Sequence, residues 1–234
     1  PLKNWDKKTW LSSKRYIHFF NKFILKQIKL NRNSRILDIG CGRGKILSDL
    51  SVKLKLLYKP IGLDIENHKD KSKKIIFKKS DALTFVSKTK INFDLILIKQ
   101  TIHLIKKKQI FKLLSICKNN LKPNGKIIIL SLDPKKNEIP TFDLMKKKLR
   151  YSLKKDETLF NLIIKFNPKI ITKNFIYQVK ITKTKYLQMI KNRYISTLLT
   201  FKDKQILDGL NEIKVKYKKD LKFRDKLICL ILNK

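Results

Sequence analysis

The chain has 234 residues, 42% of them hydrophobic, and a formal charge of +39 from 57 basic against 18 acidic side chains. That length and apolar content support one substantial core, so a single domain with appended elements is expected, and no apolar run is long enough to span a bilayer. The three cysteines, Cys41, Cys117 and Cys229, are odd in number and fall inside predicted elements, which argues against a disulfide framework and for a reducing, cytoplasmic setting.

The opening Pro1-Leu2-Lys3-Asn4-Trp5-Asp6 is polar and charged, unlike a signal peptide. Residues 5–30 carry Trp5, Trp10, Tyr16, Phe19, Phe20, Phe23 and Ile24, several at helical spacing, and predict an N-terminal helical lid over residues 1–30. The loop-like Asn31-Arg32-Asn33-Ser34 follows, and then an apolar strand runs straight into three glycines at alternate positions, Gly40, Gly42 and Gly44. Such a loop lets backbone approach a nucleotide cofactor. Asp38, near the end of the strand, separates two cofactor classes: a carboxylate there repels the pyrophosphate of a dinucleotide but suits the ammonium of S-adenosylmethionine. The spacing agrees, because the dinucleotide fingerprint places its third glycine three residues after the second, and here it comes after two.

Leu37-Asp38-Ile39-Gly40-Cys41-Gly42-Arg43-Gly44 resembles the first motif of class I S-adenosylmethionine-dependent methyltransferases of the small-molecule type, and the following segments fit that family in order. Pro60–Glu66 reads as a second strand ending in acid, with Asp64 where an acidic residue bonds ribose hydroxyls and Ile65 beside it. Ile75–Ala82 reads as a third strand ending in Ser80-Asp81-Ala82, where the family places a carboxylate that accepts from the adenine amino group. Phe93–Ile98 is a fourth strand, and Leu121–Gly125 with Lys126–Leu130 resembles the family's turn and fifth strand, Asn124 standing for a glycine because Asn tolerates the left-handed conformation. Each acid has a plainer alternative: Asp38 as a helix cap, Asp64 and Asp81 as ordinary loop acids.

The resemblance implies a Rossmann-like α/β fold, a mostly parallel seven-stranded sheet with an antiparallel last strand and helices on both faces. Its cofactor set is Asp38, Gly40, Cys41, Gly42, Gly44, Asp64, Ile65, Asp81, Ala82 and Lys99, binding S-adenosyl-L-methionine and releasing S-adenosyl-L-homocysteine. The cofactor core covers residues 31–135. Substrate-side helices and edge strands occupy residues 136–234: a helix from about Phe142 to Phe166, a strand near Phe175–Ile181, helices around Lys185–Leu199 and Lys202–Lys218, and a final strand Lys226–Leu232. The helices between the last two strands are expected above the strand carboxyl ends, over the substrate.

The segment Lys99–Leu104 lacks the Pro-Pro-Tyr type motif of nucleic-acid amino-methylating members. It offers His103 instead, read as the only histidine near the crevice, either a general base or a helix-start histidine bonded to a carbonyl. Gln100 joins it on the acceptor side. Arg193 and Tyr194 lie in a stretch resembling small-molecule members that methylate acids, so they are candidates for an acceptor carboxylate and its apolar body, with Trp10 and Tyr16 either closing the pocket or serving as core aromatics.

The charge pulls towards a second reading. A chain this basic binds polyanions non-specifically at low salt. Yet 50 of its 57 basic residues are lysine, in runs such as Lys106-Lys107-Lys108 that resemble solvated helix faces, whereas nucleic-acid sites favour arginine forks among aromatics. The expected function is therefore methyl transfer to a small-molecule acceptor, one carrying an anionic group if Arg193 contacts it. The alternatives are an RNA- or nucleotide-modifying methyltransferase and a catalytically silent cofactor-binding scaffold. No metal and no membrane partner are expected; the oligomeric state is not legible.

Overall fold

The computed structural model describes residues 9–234; Trp5 and the other residues before Thr9 lie outside the described part. Seven strands form one sheet in the order β3-β2-β1-β4-β5-β7-β6. These are β1 (Ile36–Ile39), β2 (Ile61–Asp64), β3 (Ile76–Lys79), β4 (Phe93–Lys99), β5 (Leu121–Leu132), β6 (Ile171–Ile181) and β7 (Leu221–Asn233). Neighbours from β3 to β5 pair in parallel, and β7 runs antiparallel to both β5 and β6, so it alone opposes the other six. This is the Rossmann-like class I methyltransferase sheet, with its antiparallel last strand.

The centre of the sheet is buried on both faces, as parallel strands covered by helices require. Along β4, Leu95 and Leu97 enter one core with Leu47 and Leu50, while Ile96 and Ile98 enter the other with Ile110, Leu113, Leu114 and Cys117. The first core is covered by α1 (Lys14–Gln27) and α2 (Lys45–Leu54), the second by α3 (Ala82–Lys88) and α4 (Lys107–Asn119). Ile46 and Leu54 of α2 are only partly buried.

Helix α5 (Asp143–Phe166) joins the two cores. Met145 packs with the first and Leu159, Phe160 and Ile163 with the second, so its 24 residues, about 36 Å of helix, pass over the end of the sheet. Between β6 and β7 lie α6 (Lys183–Lys191), a 3-10 turn (Ser196–Leu198) and α7 (Asp203–Lys216).

Several element boundaries differ from the sequence reading. Strand β6 begins at Ile171, because the polar residues Lys173 and Asn174 pair with Cys229 and Ile228 while facing solvent at the sheet edge. Strand β7 begins at Leu221, its first five residues completing the same ladder. The helix expected over residues 185–199 stops at Lys191. Arg193 there adopts φ 52°, its N–H donating to Ile190 O at 2.9 Å and that of Tyr194 to Met189 O at 3.2 Å. These are the two bonds of a Schellman cap, with arginine where glycine is usual. Asn124 has the expected left-handed backbone, φ 63°, though the surrounding turn is drawn into β5 with a register shift against β4.

Gly209 fixes how α7 sits. A Cβ at this position would lie 2.7 Å from the ring of Phe142, the residue before α5. Gly209→Ala gains about 1 kcal/mol of helix propensity but overpacks this contact, which costs about 1–3 kcal/mol. The expected net effect in urea denaturation is a loss of about 1 kcal/mol; a gain in stability would show that the two elements separate freely.

Candidate functional site

The glycine loop is stapled to the end of β2. Gly40 and Cys41 N–H both donate to Leu63 O, at 2.8 and 2.9 Å, and Gly42 N–H donates to Asp64 Oδ2 at 2.9 Å. Gly40 and Gly42 have φ 77° and 54°, so side chains would strain the turn, but the two positions differ in what surrounds them. A Cβ on Gly40 would overlap Thr101, whereas a Cβ on Gly42 would meet no protein atom within 4 Å, because Gly42 faces an open cavity.

That cavity, of about 520 Å³, runs along the carboxyl ends of β1, β2 and β4 and on beneath the segment after α6. Its volume is in the range of small-molecule sites. It lies where the strand order reverses between β1 and β4, the crevice at which open parallel sheets bind ligands.

Most of the expected cofactor residues meet on this cavity: Gly40, Gly42, Asp64, Ile65, Asp81, Ala82 and Lys99 line it. Ile65 is 66% exposed, an apolar side chain left uncovered beside the acid that ends β2. Asp64 has one oxygen on Gly42 and the other accepting from Glu66 N at 2.9 Å. Asp81 performs the plainer task as well, since its Oδ1 caps α3 through Thr84 N at 3.0 Å.

Cys41 and Gly44 do not reach the cavity. Cys41 packs its Sγ towards Gly62, and a Cβ on Gly44 would overlap Ile75, so both shape the loop from behind. Asp38 also sits behind the lining, 3% exposed, with its Oδ1 unpartnered among the described residues. It does not cap α2, whose N-cap is Gly44 with no side-chain bond. Burial raises its carboxyl to about 7, against the opposing field of Lys99.

On the acceptor side, Trp10, Gln100, His103 and Tyr194 line the cavity. Gln100 has φ 52° at the end of β4, its N–H donating to Leu130 O at 2.7 Å and its Oε1 accepting from Lys99 Nζ at 3.2 Å. His103 lies in the 3-10 turn Ile102–Leu104; its Nδ1 is buried without a partner, so the carbonyl bond of the plainer reading is not made at that nitrogen. Burial lowers its pKa below 6.5, which keeps the imidazole neutral at pH 7.

Two expected acceptor residues lie elsewhere. Tyr16 is fully buried, edge-on to Phe175 and Tyr177, and serves as a core aromatic. Arg193 gives its guanidinium to Leu198 O at 2.9 Å and Asp203 Oδ1 at 2.6 Å, holding the corner after α6 rather than entering the cavity. The physical reason is the Schellman cap, which turns Arg193 outward and Tyr194 inward.

Sequence reasoning missed two lining residues. His68, 4% exposed, places Nε2 3.6 Å from Asp64 Oδ2, so His103 is not the only histidine at the crevice. Its signal was its position four residues after Asp64. Asp225, 1% exposed on β7, accepts from Trp10 Nε1 at 3.1 Å. Nothing in the local pattern marked it. Among the described residues no group of three His, Cys, Asp or Glu side chains could hold a metal, and no helix is long and apolar enough to cross a membrane.

The residues present fit S-adenosylmethionine: an open glycine face, an apolar side chain beside an acid, and a buried carboxyl that burial still holds near pKa 7 and whose charged form a cation favours. A cationic ligand favours the carboxylate form of Asp38, so below pH 7 its binding expels a proton. Affinity for S-adenosylmethionine is therefore expected to rise as pH goes from about 5.5 to 7.5 and then level, with Asp38→Asn flattening that part of the profile. In the ligand-free protein the same raised pKa contributes stability that is full below 3.8 and lost as pH rises through about 7. Calorimetry in two buffers of different ionisation enthalpy reads the proton directly; an identical pH dependence in the Asn variant would detach Asp38 from the cofactor.

No curated protein matches the chain. A family model described as a methyltransferase domain matches residues 30–194. Among solved structures, a putative methyltransferase from an antibiotic biosynthesis pathway of Anabaena variabilis is 13% identical, with TM-score 0.62 over 90% of this chain and 95% of that one. The plantazolicin methyltransferase BamL, in complex with a triazolic desmethylPZN analog and SAH, is 16% identical, with TM-score 0.56 over 98% and 88%. A SAM dependent methyltransferase from Archaeoglobus fulgidus is 19% identical, with TM-score 0.54 over 93% and 94%. Likeness at such identities establishes the shared fold, and the family match spans well over half of the sequence: the chain belongs to the methyltransferase-domain family and is a class I S-adenosylmethionine-dependent methyltransferase.

Proposed function

We propose that the protein transfers the methyl group of S-adenosylmethionine to a small-molecule acceptor held beneath the segment that follows α6. The observation that carries this reading is the continuity of the cavity, which joins Gly42, Asp64 and Asp81 at one end to Trp10, Tyr194 and Thr197 at the other. Its bounded volume suits a cofactor with a small partner better than a polymer. The solved structures of similar fold, one in complex with a desmethylPZN analog and one a putative methyltransferase from an antibiotic biosynthesis pathway, are in keeping with the same class of acceptor.

When bound, S-adenosylmethionine supplies an electrophilic methyl group. The protein's part is to hold the acceptor in line with it and, where the nucleophile carries a proton, to receive that proton. Lys99, Gln100 and His103 follow one another at the end of β4, between the two halves of the cavity. A neutral, half-buried His103 whose Nδ1 has no hydrogen-bond partner among the described residues suits the proton-accepting role. The expected anionic group on the acceptor loses its support, because Arg193 is committed to Leu198 and Asp203.

Label from methyl-labelled S-adenosylmethionine is expected in the low-mass fraction of a cell extract and not in its RNA; stable label in RNA would favour the nucleic-acid reading instead. With the acceptor in hand, His103→Ala should lower kcat by about 10²-fold or more while cofactor affinity stays constant. In the unmodified enzyme kcat should fall only on the acid side of pH 6.5. An unchanged kcat in the Ala variant would remove His103 as the base.

A further inference from the structure

Helix α5 buries an apolar stripe at helical spacing: Met145, Leu149 and Leu153, then Phe160 and Ile163. One inward position is missing from it. Three residues after Leu153 and four before Phe160 the stripe calls for a hydrophobic side chain, and the residue there is Asp156. The ends of the stripe pack into the protein, Met145 in the first core and Phe160 and Ile163 in the second, but Leu149 and Leu153 belong to neither. They line the cavity, and so does Asp156. The middle of α5 therefore faces a space and not a packed wall.

Asp156 is half-buried, so part of its surface remains open, and it has neither a hydrogen bond nor an ion pair among the described residues. The charged residues beside it are engaged elsewhere: Glu157 pairs with Lys135 at 3.5 Å, and Lys155 Nζ lies over the Tyr151 ring at 4.2 Å. Burial raises the Asp156 carboxyl to about 6, and no cation opposes that shift, in a chain with 57 basic residues. A desolvated carboxylate without a partner, at a position where leucine would complete the stripe, is a standing cost that a ligand with donors offsets. Ser152, one turn earlier on the same face, is a second open group. It lines the cavity half-buried and makes no hydrogen bond among the described residues, whereas Thr158 of the same helix bonds back to Lys154 O at 3.1 Å. Carboxylate and hydroxyl together accept from a single nitrogen that carries several protons, and the two leucines beside them offer it an apolar setting.

We infer that Asp156 and Ser152 are the acceptor-recognition subsite of this enzyme and that the acceptor is an amine with an apolar body, its ammonium on Asp156 and Ser152 and its hydrocarbon part on Leu149 and Leu153. An ammonium held by a carboxylate keeps its proton and has no lone pair with which to attack a sulfonium methyl. This nitrogen is thus a handle, and the nucleophile is a second atom of the same molecule. The assignment rests on the small-molecule reading above, whose substrate class it names, and it takes the place of the anionic group that Arg193 suggested in the sequence.

The test titrates hexylamine, hexan-1-ol and hexanoate by calorimetry into the whole protein, with and without S-adenosylhomocysteine. Hexylamine is expected to bind saturably and about tenfold or more tightly than the other two. Asp156→Asn should weaken it by about tenfold or more while S-adenosylhomocysteine affinity stays constant, and Glu157→Gln, which removes the same charge one residue away, should leave it unchanged. Asp156→Leu completes the apolar stripe, so it should lose hexylamine binding with a melting temperature at or above that of the unmodified protein. A lower melting temperature would overturn the placement of Asp156 on the inward stripe. Hexanoate or hexanol binding as tightly as the amine, amine affinity unmoved in the Asn variant, an equal loss in Glu157→Gln, or no saturable amine binding would overturn the subsite. Methyl label found in RNA would remove the small-molecule reading itself, and it would do so whatever hexylamine does.

Discussion

Everything at the site follows from β1 pairing in parallel with β2 on one side and β4 on the other. Parallel neighbours need crossovers, and the chain leaves β1 through α2 for β2 on one side but reaches β4 on the other only from β3 through α3, so the connections diverge at β1 and leave a crevice there. The gap is filled by the glycine loop, which stays open because Asp64 and Leu63 hold its amides down on β2. Strands buried on both faces leave almost no room for polar side chains. Asp38, the one charged residue of β1, is thus desolvated by the same packing that makes the strand stable; the field of Lys99 offsets this in part, and a ligand of positive charge would offset it further.

Lysine covers the exterior while charges in the cavity are balanced, which separates two properties that net charge merges. The outward lysines set how the molecule meets polyanions and salt, and they act through distance and screening. The inward groups act at contact, where one misplaced ammonium changes recognition. Lys99, placed between Asp38 and Asp225, couples the two ends of the cavity electrostatically although they belong to different halves of the sheet.

The cofactor half was legible because its demands are local. A turn at Gly40 needs glycine in that place, a strand end needs its acid within a residue or two, and Asn124 takes a left-handed backbone for reasons internal to itself. The acceptor half was legible only in outline. Asp225 sits in Leu221-Lys222-Phe223-Arg224-Asp225, a stretch that looks like solvated chain until pairing with β6 makes it a strand and Trp10, 215 residues away, covers it. Arg193 misled for the opposite reason. A lone guanidinium among lysines suggested recognition, but its backbone caps a helix, and the cap decides which of two neighbouring side chains faces inward. His68 shows a third case, a residue whose role depends on the loop folding back along Asp64.

Strand β7 has one more consequence. It is bonded on both sides, to β5 and to β6, and it supplies the carboxylate at the far end of the cavity. Yet β5 ends at Leu132 and β7 begins at Leu221, so during synthesis β5 waits through the emergence of α5, β6 and the helices after it with one edge bare. That edge carries Ile127-Ile128-Ile129-Leu130, an apolar ribbon of the kind that joins other chains when left exposed. The half that carries the glycine loop can assemble early from short-range units, whereas the β7 wall of the cavity is completed only by the longest-range pairing of the sheet. Until the thirteen residues of β7 reach β5, that apolar edge is the part of the sheet most open to pairing with other chains.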